Sequence, residues 1–285
     1  MTLQSVVALL CITLLILAKD VAATVNSRRL LQYITPWYEH HGQCDLVMMK
    51  DEFFAEGLGL HVHIRTKIVG YWSYIQSVAI QLGDDTLEIE GSADADNDGE
   101  AHYWVNYKYQ QDLAAASFSE FPVTQKQDLS SPFKRSFTID FDSKYQGQNI
   151  TVETYKEFVR VRFNGNEDLY GNTAGILGDY KTGKTYSRDG VSEVHDLVEL
   201  GDEWQVLPYE PRLFHERSHP QFPELCLKPE GPSSGDHKRR LTESNISIEG
   251  AEAACGAATL TDPLAVKDCA YAILATQDMD MVGAF

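Results

Sequence analysis

The chain predicts a mainly β protein, an antiparallel β-sandwich with a small α-helical C-terminal segment. Three observations carry that expectation. From Cys44 to about Val206, short runs rich in β-branched and aliphatic residues follow one another closely. No long amphipathic helical pattern separates them, so the crossovers that a parallel sheet needs are missing. After residue 246 the texture changes to Ala-rich stretches around Cys255 and Cys269.

The elements follow in order. "SVVALLCITLLIL", residues 5–17, is an apolar run, and Val21 and Ala23 behind it have the spacing that signal peptidase accepts. The run is shorter than the ~20 apolar residues of a membrane span. Residues 1–23 are therefore read as a cleaved signal peptide, which makes the protein secreted and extracellular, with no membrane span after cleavage. Residues 33–227 form the expected β domain. "DLVMMK" and "LGLHVHIRTKIV" are strands, and "HVHIRT" alternates, with His61, His63 and Arg65 on an exposed face and Val62 and Ile64 opposite. "WSYIQSVAIQL", "GDD" and "TLEIEG" spell a hairpin, and "HYWVNYK" is a further strand beyond an acidic loop. "SFTIDF", "NITVETYK" and "EFVRVRFNG" complete the set, with Val159, Val161 and Phe163 opposite Arg160 and Arg162. After Trp204 a segment rich in Pro and charge wraps over the β domain, and residues 228–246 are a linker. In residues 247–285, "DPLAVKDCAYAILA" opens with Asp-Pro, a good helix start, and two short helices stapled by Cys255–Cys269 are expected.

Composition narrows the function. A formal net charge of −18 argues against nucleic acid or an anionic membrane as partner, because both need a basic face. Of five cysteines, Cys11 leaves with the signal peptide, so Cys44, Cys226, Cys255 and Cys269 remain. Four cysteines in an oxidising compartment form two disulfides with three possible connectivities. "NIT" at Asn149 and "NIS" at Asn245 are glycosylation sequons.

Four motifs have to be weighed. "GDYKTGKT", Gly178 to Thr185, matches the phosphate-loop pattern letter for letter. Such a loop works only between a buried parallel strand and a helix whose N-terminus faces the phosphates. Here Gly190 follows five residues after Thr185, and Asp179 would place negative charge inside the cradle. The match is a coincidence of spelling. "GPSSG", residues 231–235, matches a nucleophile elbow, but Pro232 and its neighbours describe a linker. Asp94, Asp96, Asp98 and Gly99 in "DADNDGE" reproduce the opening of a calcium loop. The twelfth position, where a closing Glu belongs, is Val105, so the loop is a candidate for weak calcium binding, the one cofactor the chain raises. His61 and His63, with His40 and His41 nearby in sequence, fall short of the three or four convergent ligands of a zinc site. No residue set has a context for catalysis, and the chain is read as non-enzymatic.

The order of these features resembles the von Willebrand factor type D domain, and most closely its secreted single-domain members in algae and other protists. "GQCDLVMM" resembles the family's early Cys-containing strand. "EFVRVRFNGNEDLYGNTAGILGDYKTG" resembles its late strand and glycine loop, and "LGDEWQV" with Cys226 its closing Trp segment. The likeness covers roughly residues 33–227, and its most specific part pairs Gly175–Gly178 with Leu200–Val206. "ACGAATLTDPLAVKDCAYAILAT" resembles a reduced form of the cysteine-rich helical module that often follows. The resemblance implies a Cys44–Cys226 bridge tying the ends of the β domain together. The family's "GDPH" and "TFDG" stretches are missing, and Leu177 stands where its glycine loop has Cys. Of its calcium ligands only Asp179 occupies a matching position, with Lys181 where another acidic ligand belongs.

These readings converge on a secreted, non-enzymatic module for adhesion, matrix or cell-surface assembly. Its partner would be an extracellular protein or glycan held through surface Tyr, Trp and Arg side chains. A carrier module for lipid or another ligand is the alternative that an apolar cavity would favour. A secreted hydrolase is a further alternative, which would need a buried acid–base set in a pocket.

Overall fold

The computed structural model describes residues 42–69, 72–92, 100–113, 118–128, 131, 133–141, 144–145, 147–217, 226–227, 246–258, 260 and 263–285. The expected signal peptide, the aspartates of "DADNDGE", "GPSSG" and Asn245 lie outside them.

The described chain is mainly β, with two antiparallel sheets. The first has six strands in sequence order: β1 (Asp45–Asp51), β2 (Leu60–Val69), β3 (Trp72–Leu82), β4 (Asp85–Glu90), β5 (His102–Val105) and β6 (Lys108–Tyr109). The second has four, β7 (Val123–Gln127), β8 (Lys134–Asp140), β9 (Asn149–Tyr155) and β10 (Phe158–Asn164), in the order β10-β9-β8-β7. Period-two alternation selects which faces are buried. Val62 and Ile64 of β2, Val78 and Ile80 of β3, and Leu87 and Ile89 of β4 face the interior. Phe137 and Ile139, Ile150 and Val152, and Val159, Val161 and Phe163 do the same from the second sheet, and both sets belong to one core.

One strand reading needs correction, and one strand was not anticipated. "HYWVNYK" is not one strand but the tight β5–β6 hairpin, because Asn106 and Tyr107 both adopt positive φ (49° and 65°). Asn106 suits that conformation. Its backbone N–H donates to the Thr86 carbonyl and its Oδ1 accepts from Thr86 N–H, both at 2.8 Å. β7, "VTQKQ", carries no apolar alternation, and four of its five residues are exposed on a sheet edge.

The stretch after β10 packs along β1. It contains α1 (Glu167–Tyr170) and α2 (Leu197–Glu203). Between them, Ile176 and Leu177 donate backbone N–H groups to the carbonyls of Val47 and Met48 at 3.1 and 3.2 Å. Gly175 makes this approach possible: its φ is +125°, and a Cβ there would lie 2.7 Å from the Met48 carbonyl oxygen. Asp196 caps α2 by accepting from the N–H groups of Val198 and Glu199. The helix delivers Trp204, 1 % exposed, whose Nε1 donates to the Tyr186 carbonyl at 2.9 Å. The guanidinium of Arg188 lies 4.9 Å from the Trp204 ring centre.

The chain then crosses the outer face of the first sheet as a strap, residues 205–217. Leu213 and Phe214 bury against Ala79 there. Beyond it, Cys226 is bonded to Cys44, with Cα atoms 5.0 Å apart. At the C-terminus α3 (Ile248–Ala257) and α4 (Pro263–Thr276) are joined by Cys255–Cys269, followed by a 3₁₀ turn, Met279–Ala284. These helices bury Ala251, Ala270, Ile273 and Leu274 together with Tyr155 of β9. The Tyr155 hydroxyl donates to the Asp280 carbonyl, and Lys156 pairs with Asp278. No helix among the described residues is long and apolar enough to cross a membrane.

Candidate functional site

One rank of directly paired residues crosses all six strands of the first sheet on its outer face. It runs Val47, His63, Ala79, Glu88, Trp104, Tyr109. The strap covers the middle of it. His63, expected on an exposed face, is 1 % exposed there, because the outer face is roofed by sequence distant from β2. Burial, and then the charges of His61, Arg188 and Lys50, push its imidazole down to about 3, so it is neutral.

Glu88 anchors the strap. Its side chain is almost wholly buried, and its carboxylate accepts from the His215 backbone N–H at 2.7 Å. The His215 ring Nδ1 lies 2.9 Å from its other oxygen. Burial raises the Glu88 pKa, while His215 pulls it down. A second clasp is Arg65, which donates to both oxygens of Asp45 at 2.7 and 2.8 Å and to the Glu216 carbonyl at 2.9 Å. The guanidinium of Arg65 also lies 4.4 Å from the Phe214 ring centre. Burial pushes the Asp45 carboxyl up to about 6 against the pull of Arg65.

His215 of the strap lies over Trp104, and the rank continues past it to Tyr109. The His215 ring stacks on Trp104 at 3.9 Å and 12°. Tyr109 meets Trp104 edge-on at 5.8 Å, and His102 completes the group at 6.2 Å from Trp104 and 6.1 Å from Tyr109. Tyr109 is 56 % exposed. On the hairpin turn, Tyr107 is 41 % exposed and carries the Arg217 guanidinium 4.5 Å above its ring. Rings fixed in this way present flat apolar surface with polar tips, at little conformational cost on binding.

The residues singled out from sequence fall elsewhere. Asp94, Asp96 and Asp98 lie outside the described residues, as does Asn245. Asp179 closes its own turn, its carboxylate accepting the Thr182 N–H at 2.7 Å. Asn149 is half-buried on β9, and its Oδ1 accepts from Thr151 and Asn164 at 3.1 and 2.7 Å. His61 lies 3.4 Å from Glu52, and no group of three His, Cys, Asp or Glu side chains among the described residues is arranged to hold a metal. In the Gly178–Thr185 loop, the N–H groups of Gly178, Asp179, Tyr180, Thr182, Gly183 and Lys184 all bond within the protein. Lys184 pairs with Glu193 at 2.9 Å, and the chain leads into a bridge between Tyr186 and Glu193 rather than a helix. The loop has no amide cradle to offer a phosphate. The aromatic edge was visible in sequence only as the aromatic density of "HYWVNYKY", whose partner His215 lies more than a hundred residues away.

The chain matches no protein-family model and no curated protein.

Proposed function

We propose that this chain is a secreted, non-enzymatic binding module with a β-sandwich of the von Willebrand factor type D kind. It acts in extracellular adhesion, matrix or cell-surface assembly. It engages an extracellular protein or glycan through the ring cluster of His102, Trp104 and Tyr109. The observation that carries this reading is the Glu88–His215–Trp104 stack, which holds one end of an exposed aromatic edge rigid from beneath. Two disulfides and the apolar run at residues 5–17 support an extracellular setting. The shared core of the two sheets supports the sandwich.

The test is binding of labelled protein to arrays of extracellular polysaccharides and matrix proteins. Tyr109→Ala should weaken the strongest signal by about tenfold, the loss typical of an aromatic anchor. Lys126→Ala, on the opposite sheet's edge strand, should leave it unchanged. Equal losses in both variants, or no signal from the wild type, would refute the aromatic edge as the binding face.

A further inference from the structure

The "NIT" sequon falls on β9, and the fold decides which way each of its residues points. Ile150 is wholly buried in the shared core. Asn149 and Thr151, its neighbours on either side, therefore lie together on the outer face of the second sheet. The Thr151 hydroxyl donates to Asn149 Oδ1 at 3.1 Å, and Asn164 Nδ2 of β10 donates to the same oxygen at 2.7 Å. These two bonds fix the rotation of the amide and aim Nδ2 the other way. Among the described residues Nδ2 has no hydrogen-bond partner, and it is not enclosed. The surface beside it is low and polar. The next rank, Thr124, Thr138, Thr151 and Arg162, crosses all four strands, and the Thr138 and Thr151 hydroxyls lie 3.3 Å apart. No bulky apolar side chain stands in that rank.

We propose that Asn149 carries an N-linked glycan, which makes the outer face of the second sheet the shielded side of the molecule. The donor is an oligosaccharide carried on a polyprenyl diphosphate. Asn149 Nδ2 bonds to C1 of its first sugar and gives up one proton, while the bond from C1 to the diphosphate oxygen breaks and the lipid diphosphate leaves with that electron pair. The inference rests on the secreted reading, because such donors are met along the secretory route. A glycan rooted on β9 spreads over β8 and β7, the exposed edge strand whose outward backbone groups would otherwise be open to a second chain. The two sheets share one core, so the aromatic edge on the outer face of the first points away from the glycan.

The test expresses the full chain in a eukaryotic secretory host, once with its own leader and once with residues 1–23 replaced by a signal peptide of proven function. Peptide-N-glycosidase should shift the mobility of the secreted protein and leave an aspartate in place of Asn149 in its mass spectrum. Asn149→Gln and Thr151→Ala should each lose this glycan. Thr151→Ser should keep it, and Asn245→Gln should leave it in place. Lys126 stands on the same face, two residues from Thr124. Deglycosylation of the folded protein should speed acetylation of Lys126 several-fold and leave Lys108, on the first sheet, unchanged. Lumenal protein with an unmodified Asn149 overturns the glycan, and the wild-type spectrum decides this even if Asn149→Gln fails to fold. Equal reactivity of Lys126 with and without sugar overturns the shielding. If only the replaced leader brings the chain into the lumen, the secreted reading fails, and sugar on Asn149 of that chain still decides for or against the site.

Discussion

His63 and Asp45 lie on the same buried outer face and respond to acid in opposite directions. The folded imidazole of His63 titrates at about 3, below its ordinary 6.5. The unfolded chain takes up that proton first, so its stabilising effect is complete above 6.5 and is lost as pH falls from there towards 3. The Asp45 carboxyl titrates at about 6 in the fold, above its ordinary 3.8. There the folded state binds the proton more tightly, so stability is gained below 6 and lost as pH rises through that value. Between about pH 6 and 4 the two slopes offset each other. Urea unfolding at pH 7 and pH 4.5 separates them. His63→Gln should lose less stability on acidification than the wild type, and Asp45→Asn should lose more. If acidification affects both variants and the wild type alike, these two groups do not govern the acid limb.

At the scale of an element, two glycines predict opposite outcomes. Gly175 stands where the loop after α1 meets β1, at positive φ and with no room for a Cβ beside Met48. Gly175→Ala should cost about 2 kcal/mol or more, from backbone strain and the displaced contact together. Gly256 lies in α3, and a Cβ there meets nothing within 4 Å. Gly256→Ala should be stabilising by about 0.5 kcal/mol, since alanine restricts the unfolded chain and favours the helix. Thermal melts of both variants check the pair, and a destabilised Gly256→Ala would mean that the helix is strained at that point. Elements were legible where burial imposes a period. β2, β3, β9 and β10 read directly from alternating Val, Ile and Phe, and α4 from Pro263 at its start. β7 was not legible, because an exposed edge strand needs no apolar face and "VTQKQ" reads as loop. The division between β5 and β6 depends on two positive φ angles, which "NY" encodes far less plainly than "NG" does.

In the whole molecule, sequence-distant segments decide what is buried, and this is what local patterning could not supply. Glu88 and Ala79 look like solvent-facing strand positions until His215 is laid over the first and Leu213 and Phe214 over the second. The aromatic edge likewise depends on His215 reaching Trp104, which is a property of the path of the chain and not of any window within it. The Cys44–Cys226 bond has a mechanical consequence. It joins residues 182 positions apart, and beside it the Gln43 N–H donates to the Leu227 carbonyl at 2.8 Å. Tension entering before Cys44 and leaving after Cys226 passes through one covalent link, and both sheets are bypassed. At roughly 3.4 Å per extended residue, the enclosed chain holds back on the order of 600 Å of length. Stretched between flanking handles in optical tweezers, the oxidised protein should show no unfolding step from the β-sheet region. After reduction, a new step of about that length should appear. A step of that length before reduction would mean that the load runs through the sheets. With the bond intact, the β region keeps its length under load, and the aromatic edge on β5 and β6 stays folded while the chain on either side is pulled taut.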